Sequence, residues 1–265
     1  MDLSTSPKID RSYGVTERVP VLKTRLYIPP ICPHLVSRPR LTKKLNEGIG
    51  LKLTLISAPA GFGKTTLLSD WVHINEIPVA WLSLHKSDND PVHFLTYVIT
   101  TLQSIETTIG KAALTLLKSP QLPPVEYLLT SLINDITSVK EDFALVLDDY
   151  QQVDVKPIHS IITFLLDHMP QQMHLIIATR SDPPLPLSRL RSQNQMIELR
   201  AADIFFRTDE ISFFFNKRMN LKLLPDEISM LDSRTEGWIA GLQLTALSMQ
   251  GVKDKSGFIK TIKGD

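Results

Sequence analysis

The chain concentrates its chemistry around one lysine, in the run Ala58-Pro59-Ala60-Gly61-Phe62-Gly63-Lys64-Thr65-Thr66. Wrapping main-chain N–H groups around an anion requires residues without side-chain bulk, and Gly61 and Gly63 meet that need. The Lys64 ammonium on its flexible stem can reach phosphate oxygens, and the Thr65 hydroxyl is a hard oxygen ligand suited to Mg2+. Groups in this order make a P-loop, a cradle for the phosphates of a nucleotide such as ATP or ADP, with Ala60 to Thr66 as its wall. The strict pattern begins with glycine where this chain has Ala58. A glycine-rich turn with an exposed lysine is the plain alternative. The setting favours the cradle, because the apolar, β-rich run 51–57 precedes it and the helix-like run 67–72 follows it.

A triphosphate with Mg2+ calls for a carboxylate as well as the loop. The run 144–150, Ala-Leu-Val-Leu-Asp-Asp-Tyr, puts Asp148 at the end of a buried strand, where it can hold the metal, and Asp149 next to it, where it can polarise an attacking water. A strand followed by an Asp-rich turn is the bland reading of the same residues. A third apolar run ends at Thr179-Arg180. A guanidinium there would make charge-assisted contacts to a γ-phosphate that a diphosphate lacks, although a surface arginine capping a strand end fits equally well. Asp88-Asn89-Asp90 lacks the glycine and distal glutamate of a calcium loop and reads as a turn. Trp71 and Trp81 read as core residues.

The elements that must position these groups are legible as alternation. Strand-like runs at 51–57, 78–84, 143–147, 174–178 and 196–199 are separated mostly by helical patterns, which implies an α/β fold with a parallel sheet covered on both faces. From Thr208 the pattern becomes helical, with Ile211, Phe214, Phe215 and Met219 on one face and Thr208 read as the N-cap. Pro225 opens another helix, and 238–247 has small and apolar residues suited to close helix packing. The expected organisation is a mobile leader over 1–20, a P-loop domain over 21–205, a small helical appendage over 206–250, and a linker or truncated end over 251–265.

Composition bounds the remaining choices. With 265 residues, 43% hydrophobic and 22% charged, the chain can bury a substantial core and is neither fibrous nor low-complexity. Lys and Arg number 29 against 28 Asp and Glu, so no global basic field exists to hold a nucleic acid. A single cysteine, Cys32, excludes an internal disulfide and fits a cytoplasmic location. The seven histidines show no zinc-ligand spacing, and no apolar run is long enough for a membrane span or export signal.

Taken together, these motifs resemble the nucleotide-binding region of the STAND class of signalling ATPases, and more closely the amino-terminal part of MalT-like, LuxR-type transcriptional regulators. The matching stretches begin with 25–30 and 36–41, continue through 58–66, 81–84 and 88–91, and take in 147–150, 179–184 and 187–191. They close with 202–208 and 235–247, so the resemblance spans roughly residues 20 to 250. It implies a P-loop fold of the ASCE type, a five-stranded sheet of order 2-3-4-1-5, and a helical domain that closes over the nucleotide. It implies roles for Lys64 and Thr65 on phosphate and metal, Asp148 on metal, Asp149 in hydrolysis and Arg180 as γ-phosphate sensor, with Val36 and Arg38 near the adenine base. It further implies slow Mg-dependent ATP hydrolysis, an ADP-bound resting monomer and self-association in the ATP state. DNA would be reached only through a helix-turn-helix domain that lies outside these residues. His85 stands where the family usually has an acid. Among other functions, a small-molecule kinase using the same phosphate machinery, with Arg189 and Arg191 as a basic lid, is the main competitor. A degenerate P-loop that binds nucleotide for stability alone is the third reading.

Overall fold

The computed structural model describes residues 20–252 and 254–261, so nearly all of the expected leader lies outside the described residues. Five strands form one parallel sheet: β1 (Leu53–Ser57), β2 (Val79–Ser83), β3 (Phe143–Asp148), β4 (Met173–Thr179) and β5 (Met196–Arg200). Their order is β2-β3-β4-β1-β5, which is the order the resemblance implies, with β4 between β3 and β1. β1, β3 and β4 are buried at every position, which explains why they read as unbroken apolar runs rather than alternating ones. Strand register places Ser83 opposite Asp148 and Leu147 opposite Ile177.

The helices are α1 (Pro39–Gly48), α2 (Lys64–Ile74), α3 (Pro91–Leu102), α4 (Lys111–Leu117), α5 (Val125–Thr137) and α6 (Lys156–His168). They continue with α7 (Leu187–Ser192), α8 (Ala201–Ile204), α9 (Thr208–Phe213), α10 (Pro225–Thr235), α11 (Ile239–Ser248) and α12 (Lys255–Thr261). Contacts group the residues into two compact units. One comprises residues up to Ile28 with Glu47–Ile56 and Glu76–Glu198; the other comprises Pro29–Asn46, Ser57–Asn75 and the chain from Leu199 onward.

The first unit has a core of sheet and helix residues that includes Leu55, Phe94, Leu132, Phe143, Leu147 and Ile177. The amino-terminal segment is locked to it by a buried ion pair. Arg25 pairs with Asp88, donates through Nε to the Ser83 carbonyl at 3.0 Å, and stacks over the Tyr97 ring. Asp88 also accepts from the His85 main chain and pairs with His93 Nδ1 at 2.9 Å. The 88–90 run does form a turn, a 3-10 helix over Lys86–Asn89 with Asp90 capping α3, but Asp88 is fully buried and holds a tertiary contact that spacing did not disclose.

The second unit has its own apolar cluster, with Ile211, Phe214, Phe215, Leu231 and Leu242 among its members. Arg207, not Thr208, occupies the N-cap of α9. Its main-chain N–H donates to the Glu210 carboxylate, and the Thr208 hydroxyl instead bonds Asp232. The competition goes to Glu210 because its longer side chain can reach back three residues. The stretch 251–265, expected as a linker or truncated end, contains α12, whose Ile259 is buried in this cluster.

Candidate functional site

The P-loop is continuous with β1 on one side and α2 on the other. Gly61 (φ +80°) and Gly63 (φ +71°) are both left-handed, a conformation that costs residues with a Cβ. Gly63 is the N-cap of α2 and makes no side-chain cap, and the positive end of the helix faces the loop. Lys64 is buried, and its ammonium donates to the carbonyls of Ala58 (2.7 Å) and Pro59 (3.0 Å), which fixes the side chain across the loop. Ala58, where the strict pattern has glycine, is itself buried, and its carbonyl serves as one of those acceptors. Phe62, Thr65 and Thr66 are partly buried, and Ala60 and Gly61 are exposed.

In the same unit the first turn of α11 lies against this loop. The Trp238 indole N–H donates to the Ala60 carbonyl at 3.1 Å, and the Ala240 N–H donates to the Gly61 carbonyl at 3.0 Å. Sequence reasoning treated Trp238 as part of a packing helix and did not place it at the loop. The available signal was glycine spacing: Gly61 on the loop and Gly241 on α11 are both positions where a Cβ would strike the Trp238 ring.

Val36 and Arg38 also belong to this unit. The Val36 side chain sits in the apolar cluster, and Arg38 is buried with its guanidinium donating to the Ile204 carbonyl at 2.9 Å and lying over the Phe206 ring. Burial lowers the Arg38 pKa to about 10, partly offset by Glu210 and Asp70, so it remains a cation at neutral pH. Burial also raises the Asp70 carboxyl above its ordinary range, against the opposing pull of Arg38 and His73. The Val36 and Arg38 side chains are thus both engaged within their own unit.

In the other unit Asp148 closes β3. It is buried, its carbonyl accepts from Leu84 N at 2.9 Å, and its Oδ1 accepts from Asp149 N at 3.0 Å. Asp149 is a non-glycine residue at φ +57°, ψ +39°, and strain of this kind is concentrated at functional positions. Its carboxylate accepts from Gln151 Nε2 at 2.7 Å. Since a carboxylate can only accept, this contact orients the Gln151 amide and leaves Oε1 buried without a partner among the described residues. Spacing did not single out Gln151; its place two residues after Asp149, across a tight turn, was the only clue. Arg180 is exposed immediately after β4, on a turn that Thr179 shapes by donating its hydroxyl to the Ser181 carbonyl at 3.0 Å.

The arginines that a kinase lid would use are held by carboxylates within this unit. Arg189 pairs with Asp167, and Arg191 pairs with Glu198 at 2.8 Å and Asp182 at 3.7 Å. Within the second unit, the left-handed glycine loop, the start of α2 and the Thr65 hydroxyl have the chemistry that a polyphosphate with Mg2+ calls for.

Among the described residues no helix is long and apolar enough to cross a membrane. No family model matches the chain. It is 32% identical over 252 residues to the serine/threonine-protein kinase PknK of Mycobacterium tuberculosis, a match covering 94% of this chain and 22% of that protein. It is 32% identical over 228 residues to the HTH-type transcriptional regulator MalT of Yersinia enterocolitica, covering 86% of this chain and 25% of the regulator. The chain thus spans about a quarter of the length of these curated relatives. Among solved structures it is similar to a signal transduction ATPase with numerous domains from Pyrococcus horikoshii, which carries a tetratricopeptide repeat sensor. That match has a TM-score of 0.61 at 15% identity and covers 89% of this chain and 34% of the other. A Walker-type ATPase of Pyrococcus abyssi matches with a TM-score of 0.56 at 17% identity, over 85% of this chain and 71% of the other. The chain is thus a MalT-like region by sequence, similar along most of its own length to a segment of that regulator, and its fold is that of P-loop ATPases.

Proposed function

We propose that the chain is the ATP-binding, slowly hydrolysing switch module of a MalT-like transcriptional regulator, in which nucleotide state controls conformation and self-association. The observation that carries this reading is the left-handed Gly61/Gly63 loop leading into α2 with Lys64 buried across it. Lys64 and the amides of residues 60–66 hold the phosphates, Thr65 and Asp148 hold Mg2+, and the main chain of Val36 to Arg38 contacts the base. Mg2+, when bound, neutralises charge on the β- and γ-phosphates. Asp149, held by Gln151, accepts a proton from the attacking water, and Arg180 meets the charge on the γ-phosphate. A switch needs different affinity for its two states, so ATP and ADP must favour different conformations. The transfer of phosphate to a small acceptor is less well supported, because Arg189 and Arg191 are already paired with acids.

The test combines ATP and ADP affinities, native mass with each nucleotide, and phosphate release, for the wild-type chain and Asp149→Asn. The expected outcome is tight ADP binding, a larger assembly with ATP, and release slowed about 100-fold in Asp149→Asn with ATP affinity retained. Equal mass with both nucleotides overturns the switch, and unchanged release in Asp149→Asn overturns the water-activation role.

A further inference from the structure

Trp238 is an odd tryptophan: Trp71 and Trp81 are almost wholly buried, yet Trp238 is 40% exposed. Burial does not account for a large aromatic held at such a place. The site is nevertheless shaped to receive it. A Cβ at Gly61 would stand 2.6 Å from the indole Nε1 and 2.7 Å from the Ala240 Cβ, and a Cβ at Gly241 would stand 2.7 Å from the ring at Cε3. Two glycines far apart in sequence thus leave room for one ring, and the ring uses that room to place its N–H on the Ala60 carbonyl.

The two carbonyls gripped from α11 belong to particular peptide units. Ala60 C=O shares its plane with Gly61 N–H, and Gly61 C=O shares its plane with Phe62 N–H. In a trans peptide the N–H and C=O point in opposite directions, so donors on one face of the loop are tied to acceptors on the other. A hydrogen bond accepted at the carbonyl polarises the amide and strengthens its N–H as a donor. We infer that Trp238 is a positioning residue for phosphate binding: with Ala240 it holds the carbonyl side of the peptide units whose N–H groups face the nucleotide. The inference rests on the nucleotide reading of the loop and adds the route by which phosphates and α11 sense one another. Coupling of this kind is reciprocal, so a phosphate on the loop must tighten the α11 contact by the same factor that the contact tightens the phosphate.

The experiment measures ADP and AMP affinity by calorimetry for the wild-type chain and Trp238→Phe, which keeps the ring and removes the donor. ADP is expected to weaken about fivefold and AMP, lacking the β-phosphate, to change by less than twofold. A purely structural role for Trp238 would weaken both alike or neither, and either result overturns the inference. Hydrogen exchange on the unsubstituted chain gives a reading that does not depend on the variant folding. ADP is expected to slow exchange of the Ala240 amide about fivefold, and an unchanged rate in ADP-bound protein overturns the coupling. If the wild-type chain binds no ADP, the nucleotide reading itself fails, and this inference fails with it.

Discussion

The P-loop and the acid-bearing end of β3 are built by opposite means. The loop is shaped at its main chain: two left-handed glycines, and four carbonyls that accept from Lys64, the Trp238 indole and the Ala240 amide. The end of β3 is shaped by side chains and strand register, with Ser83 opposite Asp148, a Gln151 amide on Asp149, and a carboxylate-bearing residue forced into a left-handed turn. A loop held by its carbonyls depends on the few donors that reach them and does not accept an added Cβ at its glycines. A side-chain device fails when a donor, an acceptor or a proton is changed.

The side-chain contacts of the sheet that carries that acid end are tested most sharply by pH, at β4. His174 of β4 is 1% exposed and lies against β1, where its Nδ1 bonds the Leu51 carbonyl at 2.6 Å and its Nε2 bonds Thr54 Oγ1 at 2.9 Å. A carbonyl only accepts, so Nδ1 carries the proton and Nε2 accepts from the Thr54 hydroxyl. Protonating Nε2 would place a charge in the sheet interior and reverse that bond. Burial accordingly lowers the His174 pKa from the usual 6.5 to about 4, against the opposing effect of the Leu51 carbonyl. Between these values the unfolded chain binds more protons than the folded one. The stabilisation is therefore complete above pH 6.5 and is lost as pH falls towards 4, a loss of about 3 kcal/mol. Chemical denaturation at a series of pH values should show this slope, and His174→Gln should flatten it. The carbonyl-to-amide contacts of the loop contain no group that titrates in this window, so a slope that survives in His174→Gln would assign the acid lability elsewhere.

Gly61→Ala tests the other side of the comparison. The new Cβ would meet Trp238 and Ala240 at 2.6 and 2.7 Å and would stand on a backbone at φ +80°. The expected cost is about 2 kcal/mol from strain and displaced packing, read as a lower denaturation midpoint. Asparagine tolerates left-handed φ better than alanine but brings the same Cβ, so Gly61→Asn separates the two causes. Equal destabilisation by both variants assigns the cost to the collision, and recovery in Gly61→Asn assigns it to backbone strain.

The sequence disclosed these two devices unequally. β1, β3 and β4 were visible because parallel strands buried on both faces must be apolar throughout, and Lys64, Asp148, Asp149 and Arg180 could be singled out because each stands near the end of such a strand or at the start of the helix after it. Trp238 escaped because its partner is 178 residues away, and no local pattern encodes a contact at that distance. The buried role of Asp88 escaped for the same reason, since Arg25 is 63 residues distant and the local spacing describes only the turn. The Thr208 cap was misjudged on local grounds, where Glu210 and Asp232 compete for the groups that a simple cap would use. The 251–265 stretch looked like a linker because a short helix such as α12 is stabilised by docking Ile259, which periodicity over seven residues cannot reveal.

The smallest expected effect concerns Asp149 and bears most directly on whether the acid pair is functional. A residue with a Cβ at φ +57° carries a cost that glycine does not, and the strain there persists only because neighbouring structure imposes it. Asp149→Gly should relieve that strain and raise stability by about 0.5–1 kcal/mol, less the larger unfolded-state entropy of glycine and the lost Gln151 contact. Phosphate release should fall at the same time. Stability and turnover moving in opposite directions would mark Asp149 as a residue held against the preference of its backbone for the sake of chemistry. If stability falls by more than about 1 kcal/mol, the Gln151 bond outweighs the strain, and Asp149 would be a fastening of the turn after β3 rather than its reactive group.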